Sequence, residues 1–285
     1  MLVDVLPFLA CPHCGGGFGA EAGALRCRSG HAFDVARQGY VTLLPSGAAP
    51  GGDSAAMVAA RSRVHGAGHF APLTQALATA VASADVAGCV LDVGAGTGHH
   101  LAAALDTAPG RVGIALDASR YAARRAARAH PRIGAVVADA WRGLPVRAGA
   151  AAVLLDVFSP RNGAEMRRVL APGGTLLVVT PRPDHLAELV GPLGLLTVDE
   201  RKAARLAGAF EPHLAERGHA TLRWTMRLTR AEVADAVGMG PSAHHVDPDE
   251  TRRRIDLLAD PLTVTAAVDL HTYVHTGSHP RASLG

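Results

Sequence analysis

The chain has 285 residues, enough for about two domains, and 48% of them are apolar, which is ample for a folded core. Its formal net charge of +3 is far below that of a dedicated nucleic-acid binder, and Lys202 is the only lysine among its cations. No apolar run of about 18 residues or more occurs, and the N-terminus lacks a basic, apolar and cleavable series. We therefore expect no membrane association and a cytoplasmic location.

Three cysteines and a histidine near the N-terminus have the spacing of a metal site. Two residues separate the first pair, twelve residues follow, and three residues separate the second pair: Cys11, Cys14, Cys27 and His31. Three thiolates and an imidazole complete a tetrahedral zinc sphere and leave no position for a catalytic water, so we predict structural zinc. A disulfide knot or accidental clustering is the alternative, but an odd set of three cysteines with a histidine suits neither.

The chain then divides into three parts. We expect the zinc-binding module to span residues 1–45 and to close with a strand over 39–44. A flexible linker and two helices, beginning at Ser54 and Pro72, should fill residues 46–87, and one larger domain should occupy residues 88–285.

The segment Leu91–Gly98 is the most informative part of the larger domain. A short apolar strand runs into a loop with glycine at alternate positions, and a helix-like segment follows. The spacing differs from the dinucleotide fingerprint, and the lysine of a nucleotide-triphosphate loop is missing. The segment favours a loop that binds S-adenosylmethionine, with a purely structural turn as the alternative. The candidate cofactor residues here are Asp92, Gly94, Gly96, Thr97 and Gly98.

Four apolar strands each end in an aspartate, namely Asp92, Asp117, Asp139 and Asp156. Helical stretches separate the strands, and a fifth strand over 175–180 follows a Pro-Gly-Gly turn. This order predicts a doubly wound parallel sheet with a ligand-binding edge, where Asp117 can bind ribose hydroxyls and Asp139 also faces the cofactor. Any one of these carboxylates is as easily a helix cap. Together they predict an α/β class I S-adenosylmethionine-dependent methyltransferase with a Rossmann-like sheet.

The C-terminal third should add further elements. We expect helices around 184–193 and 200–206, a strand over 220–228 and a helix over 230–237. A last strand over 263–274 alternates apolar and polar residues, which predicts an antiparallel hairpin with the strand before it.

Arginines collect in two places. Arg26, Arg28 and Arg37 belong to the zinc-binding module and are candidates for binding RNA phosphate. Five more follow the second strand on one predicted helix, where a solvated face is the simpler interpretation: Arg120, Arg124, Arg125, Arg128 and Arg132.

The order of these motifs resembles that of the bacterial 23S rRNA (guanine-N1)-methyltransferases, the RlmA-like family. Besides the metal ligands and the glycine loop, the resemblance rests on residues 33–41, 52–54, 68–70, 170–174 and 180–186. Residues 126–131 and 156–162 look closest to the branch that gives actinomycetes resistance to tylosin-like macrolides. The resemblance runs nearly from end to end.

The resemblance implies methylation of N1 of a guanosine in hairpin 35 of 23S rRNA, guanine 748 rather than guanine 745. It also implies a homodimer whose paired zinc modules frame an RNA cleft. Cys11, Cys14, Cys27 and His31 match the family's zinc ligands, and Gly96, Thr97 and His185 match its cofactor contacts. Phe70 stands where many members have a cofactor-contacting tyrosine, so only ring packing would remain.

Guanine N1 carries a proton at neutral pH, and a general base must accept it. Asp156, at the end of the fourth strand, is the candidate, although not all family members have an acid there. Phe158, Phe70 or Trp141 could stack on a base taken out of its helix. Two alternatives stay open: a small-molecule methyltransferase with the same fold, and a non-catalytic RNA-binding protein that keeps S-adenosylmethionine as a structural ligand.

Overall fold

The computed structural model describes residues 2–44, 52–195, 209–210, 213–240 and 247–275. Its strands are β1 (Phe18–Glu21), β2 (Ala24–Cys27), β3 (Ala32–Asp34), β4 (Tyr40–Thr42), β5 (Cys89–Val93), β6 (Gly113–Asp117), β7 (Ile133–Val137), β8 (Ala151–Val157), β9 (Leu170–Pro181), β10 (Ala215–Leu228) and β11 (Leu262–Val274). Its helices are α1 (Leu2–Val5), α2 (Ala55–Gly66), α3 (Ala71–Ala82), α4 (His99–Thr107), α5 (Arg120–Ala126), α6 (Gly163–Val169), α7 (Ala187–Leu193), α8 (Arg230–Gly238) and α9 (Pro248–Asp256).

An eight-stranded sheet forms the body of the protein, in the order β10-β11-β9-β8-β5-β6-β7-β4. The strands from β9 to β4 are parallel, and β11 and β10 add an antiparallel hairpin. Helices cover both faces, so a central strand such as Cys89–Val93 is buried along its whole length and reads as a continuous apolar run. The predicted doubly wound sheet and the C-terminal hairpin are both confirmed.

The two faces of the sheet have separate cores. On one face, side chains of α2, α3, α4, α7 and α8 pack over the sheet, as Leu73 and Leu101 do. On the other face, α1 and α6 contribute Val5 and Met166. The alternation of a strand's side chains sends Asp92 and Asp156 to opposite faces, since Asp156 pairs in register with Val93.

The smaller sheet, β1-β2-β3, belongs to the zinc-binding module. Tyr40–Thr42, within the stretch expected to close that module, pairs in parallel with Ala135–Val137 and forms an edge of the large sheet. The N-terminal helix α1 packs on that sheet, and the absence of a side chain at Gly134 leaves room for Val5 against β7. Val41 and Val5 are fully buried there, and this burial holds both flanks of the module on the larger domain.

Most other predicted elements are confirmed within a few residues. Ser54 caps α2 by accepting a hydrogen bond from the Met57 N–H at 3.2 Å. The arginine-rich helix is shorter than expected, because α5 ends at Ala126 and Arg132 lies beyond it. The sequence did not predict α9. The expected helix over 200–206 and residues 46–51 of the linker lie outside the described residues, within which no helix is long and apolar enough to cross a membrane.

Candidate active site and zinc centre

The four predicted zinc ligands lie together at one end of the small sheet. Two tight turns place them: Gly15 N–H donates to the Cys11 carbonyl at 2.8 Å, and Gly30 N–H donates to the Cys27 carbonyl at 3.0 Å. Both glycines have a positive φ, which side chains disfavour. The result is a pair of matching turns, each of which presents two ligands.

The distances between the ligand atoms fit a single tetrahedral ion. All four lie within 4.8 Å of one another. Cys14 Sγ is 3.6 Å from Cys27 Sγ, and Cys27 Sγ is 3.3 Å from His31 Nδ1. Two thiolates at about 2.3 Å from a shared zinc ion would be about 3.8 Å apart. The Ser29 hydroxyl and the Gly16 backbone lower the pKa of the Cys14 thiol to about 6, which favours the thiolate that binds metal.

Cys89 takes no part in this centre. It is fully buried in β5, and burial raises the pKa of its thiol to about 12. Its role is that of a small apolar side chain, as expected from the sequence.

The glycine loop connects β5 to α4 at the carboxyl edge of the sheet. Gly94 has a φ of 70°, and a Cβ there would lie 2.4 Å from the Cβ of Ser159. Gly98 precedes α4 in the left-handed conformation, and a Cβ there would lie 3.1 Å from Ala126. Only glycine fits these two positions without a shift of the neighbouring chain, so the loop is a compact backbone cradle.

Asp117 holds that cradle in place. Its two carboxylate oxygens accept hydrogen bonds from the Gly96 N–H and the Ser119 N–H, each at 2.8 Å. Burial raises the pKa of Asp117. The carboxylate can still accept bonds from ribose hydroxyls through its remaining lone pairs.

The other predicted acids lie along the same edge in different surroundings. Asp92 is buried, and its pKa is raised by that burial and by the nearby charges of Asp117 and Asp156. Asp139 is partly exposed at the end of β7 and accepts a hydrogen bond from the Trp141 N–H at 3.0 Å. The structure therefore brings all four strand-end carboxylates to the predicted ligand edge.

A cluster of neutral histidines lies beside the loop, and the sequence analysis missed it. His65 Nδ1 is 3.4 Å from Thr97 Oγ1, and its ring centroid is 4.6 Å from that of His99 and 5.1 Å from that of His100. Burial lowers the pKa of His65 to about 2 and that of His100 to about 3. One turn earlier on α2, the Arg61 guanidinium lies against Gly96. The spacing of Arg61 and His65 on one helix face was the available signal.

Phe70 and His185 continue this cluster, because the Phe70 ring centroid lies 5.8 Å from that of His65. Phe70 is buried, with its ring centroid 6.4 Å from His185 and 5.9 Å from Trp224. His185 Nδ1 accepts the Ala267 N–H at 3.2 Å, and burial lowers its pKa to about 4. The neutral ring therefore carries its proton on Nε2, where it can donate to a ligand.

Asp156 is the most unusual carboxylate of the site. It is completely buried, and neither oxygen has a hydrogen-bond partner among the described residues. Ser159 Oγ and Arg161 Nε are also buried without a described partner. Burial raises the pKa of Asp156 to about 8, although the charge of Arg161 and the nearby Ser159 hydroxyl and backbone N–H act in the opposite direction.

Of the aromatic residues considered for base stacking, Phe158 is the best placed. It lies two residues after Asp156 in the chain, has a φ of 55° and exposes 43% of its surface. Its ring centroid is 5.8 Å from that of His185. Strained backbone of this kind is concentrated at functional sites. Trp141 is also exposed, whereas Phe70 is buried.

The three predicted RNA-binding arginines differ in the contacts that their side chains make within the protein. Arg26 donates to Glu21 at 2.8 Å and to the Gly30 carbonyl, so it helps to hold the module's own turns. Arg28 and Arg37 are exposed, and neither forms an ion pair with another described residue.

Known proteins match the chain over almost its whole length. Residues 9–48 match the family model "RlmA, N-terminal", a zinc ribbon, and residues 90–174 match a family model for a methyltransferase domain. A Streptomyces fradiae protein named 23S rRNA (guanine(748)-N(1))-methyltransferase is 51% identical, over 94% of this chain and 97% of its own. A Micromonospora griseorubida protein, provisionally named 23S rRNA (guanine-N(1)-)-methyltransferase, is 52% identical over 95% of this chain and 98% of its own.

Among solved structures, the YcgJ protein of Bacillus subtilis matches 70% of this chain and 98% of its own, with 14% identity and a TM-score of 0.49. The two family models and the geometry agree that the chain combines a zinc ribbon with a class I methyltransferase domain.

Proposed function

The chain belongs to the family of 23S rRNA (guanine-N1)-methyltransferases, and we propose that it transfers a methyl group from S-adenosylmethionine to N1 of guanine 748 of 23S rRNA. The observation that carries this proposal is the 51% identity to the Streptomyces fradiae protein over nearly the full length of both chains. The cradle between β5 and α4 and the closed Cys₃His centre supply the cofactor and zinc sites that such an activity needs.

The proposal extends to the RNA element that is methylated, the assembly of the protein and the benefit to the cell. Hairpin 35 is the proposed RNA element, a homodimer the proposed assembly, and resistance to tylosin-type macrolides the proposed benefit. Arg28 and Arg37, exposed on or beside the zinc-binding module, support a role of that module in RNA recognition. Ribosomal RNA as the substrate agrees with the cytoplasmic location expected from the sequence.

The residues at the carboxyl edge suit S-adenosylmethionine. The proposed contacts are backbone at Gly94, Gly96 and Gly98, the Thr97 hydroxyl, carboxylates of Asp92, Asp117 and Asp139, the Phe70 ring and the His185 Nε2–H. When bound, S-adenosylmethionine would supply a methyl group already activated by its sulfonium, with the thioether sulfur as the leaving group. The protein's part is therefore placement of guanine N1 and control of its proton.

We assign the proton to Asp156. As the N1 lone pair forms its bond to the methyl carbon, the N1 proton passes to a carboxylate oxygen of Asp156. A pKa of about 8 leaves part of the carboxyl groups ionised at neutral pH and makes the ionised form a stronger base than an ordinary aspartate. Phe158, strained and half exposed beside it, is the proposed stacking surface for the guanine after it leaves its helix.

Methyl incorporation tests this function. Purified protein with labelled S-adenosylmethionine should label an unmodified 23S rRNA transcript and leave 16S rRNA unlabelled. A small-molecule methyltransferase would label neither RNA, and a non-catalytic RNA-binding protein would bind the cofactor and the 23S transcript without incorporation. Either of these results would contradict the proposed activity.

A further inference from the structure

Helix α5 and the chain just after it form the most one-sided charged segment of the protein. Between Asp117 and Asp139 the sequence has five arginines and no acidic residue. Some exposed arginines elsewhere have carboxylate partners: Arg63 contacts Asp235 at 2.6 Å, and Arg253 contacts Glu250 at 2.7 Å.

One of the five arginines has a structural task. The Arg132 guanidinium donates to the carbonyls of Ala108 at 2.8 Å and Arg111 at 2.6 Å, and also to that of Leu105. These carbonyls lie at and beyond the end of α4, and those of Leu105 and Ala108 also accept the backbone N–H groups of Ala108 and Arg111. Arg132 is therefore removed from the surface that the other four share.

The remaining arginines are exposed. Arg124, Arg125 and Arg128 form no ion pair with any described residue. Arg120 lies over the exposed ring of Tyr121, with its guanidinium carbon 5.0 Å from the ring centroid. Cations this close in sequence repel one another, and no carboxylate among the described residues forms an ion pair with them.

This surface continues onto the turn that leads to β4. Gly39 lies against the end of α5, where a methyl group on Gly39 would be 3.8 Å from the Cβ of Ala127. Arg37 is exposed in the same turn, between β3 and β4. At the other end, Ser119 caps α5 and donates to the Asp53 carbonyl at 2.6 Å, beside the cofactor loop.

We propose that Arg37 and the four exposed arginines of the α5 segment, Arg120, Arg124, Arg125 and Arg128, bind the phosphate backbone of the RNA outside the target base. We call these five residues the α5 surface. The inference rests on the proposed function, because it takes RNA as the substrate. Arginine binds phosphate with two parallel hydrogen bonds, and phosphates would supply the anions that this surface lacks.

The salt dependence of RNA binding tests the α5 surface. We compare the wild type with the triple variant Arg124→Gln/Arg125→Gln/Arg128→Gln. The probe is a fluorescent transcript of hairpin 35 with its stem, and its affinity is measured without cofactor at a series of KCl concentrations. Each lost phosphate contact lowers the slope of log affinity against log salt by about 0.9 on duplex and about 0.7 on single strands. The expected decrease is therefore about two to three for the triple variant.

A control with the same loss of charge separates local contacts from net charge. Arg252→Gln/Arg253→Gln/Arg254→Gln removes three cations from α9, which packs against α7 and α8. We expect this variant to keep a slope within about 0.5 of wild type, and both variants to keep wild-type affinity for S-adenosylmethionine.

The outcomes are distinct. An unchanged slope in the α5 variant, or an equal decrease in the α9 variant, overturns the α5 surface and leaves the proposed function standing. Failure of the wild-type protein to bind the hairpin at any salt concentration contradicts both proposals.

Discussion

The carboxylate of Asp156 lies 3.9 Å from the guanidinium Nε of Arg161, and among the described residues no hydrogen bond reaches either of its oxygens. At that distance the two groups attract each other without closing a direct hydrogen bond. Buried polar atoms without partners are rare in proteins, and four of them occur here, on Asp156 near the end of β8 and on Ser159 and Arg161 just after it. Unpartnered acceptors and donors are therefore concentrated around Asp156, the residue to which the proposed mechanism assigns the guanine proton.

Asp156→Asn should slow methyl transfer. The amide cannot accept the N1 proton, and removal of a general base costs about 10²- to 10⁴-fold in rate. Affinity for S-adenosylmethionine should stay within about twofold of wild type. Single-turnover methylation of the 23S transcript, with cofactor binding measured by calorimetry, checks both. A rate within about threefold of wild type would remove Asp156 from the proton path.

The rate of methyl transfer should rise with pH up to about 8. Asp156 accepts a proton only when ionised, and its pKa is raised to about 8 by burial. Below that pH the ionised fraction, and with it the rate, should fall about tenfold per pH unit. The Asn variant should lack this inflection. A wild-type profile that is flat between pH 6 and 8 would contradict the assignment.

The raised pKa of Asp156 also predicts how the stability of the folded protein changes with pH. The pKa of this carboxyl is raised from 3.8 to about 8 in the folded state. Its contribution to the free energy of unfolding is therefore fully present below pH 4 and is lost as pH rises to 8, because the unfolded chain releases the proton first. Asp156→Asn should therefore gain stability over wild type as pH increases. Thermal unfolding at pH 5 and pH 8.5 measures this. A wild type that gains stability relative to the variant at the higher pH would contradict the buried, unpaired carboxylate.

Cys27→Ser should release zinc from the ribbon without emptying the cofactor site. Cys27 Sγ is within 3.6 Å of two other ligand atoms, whereas Asp117 and the glycine loop lie in the larger domain. We expect one zinc per chain in wild type and in Cys89→Ser, whose thiol is buried in β5, and little in Cys27→Ser. Metal analysis and cofactor titration provide the two measurements. Loss of zinc from Cys89→Ser alone would contradict the ligand set.

Gly94→Ala should weaken S-adenosylmethionine binding at least tenfold. The new methyl group would lie 2.4 Å from the Cβ of Ser159, at a backbone φ of 70°. Gly110→Ala is the matched control, since a Cβ there has open space. Cofactor titration of both folded variants is the measurement. Equal affinities for the two variants would show that the shape of the cradle at Gly94 is not required.

The sequence predicted those parts of the molecule that depend on local pattern. Cys11 and Cys14 were recognisable from spacing alone, and Gly94 from the strand before it. The sheet that Tyr40–Thr42 joins could not be predicted, because a three-residue strand carries no signal for its partner strand. His65 and Arg132 illustrate the same limit: their partners are 32 and 21 to 27 residues away, and only the fold brings them together.

Primer extension on 23S rRNA tests the central claim most directly. A methyl group on N1 blocks base pairing, so reverse transcriptase stops at the modified guanosine. Unmethylated 23S rRNA treated with this protein and S-adenosylmethionine should give a single new stop, in hairpin 35 and set by guanine 748. No new stop on naked 23S rRNA or on 50S subunits, despite measurable cofactor binding, would contradict the account.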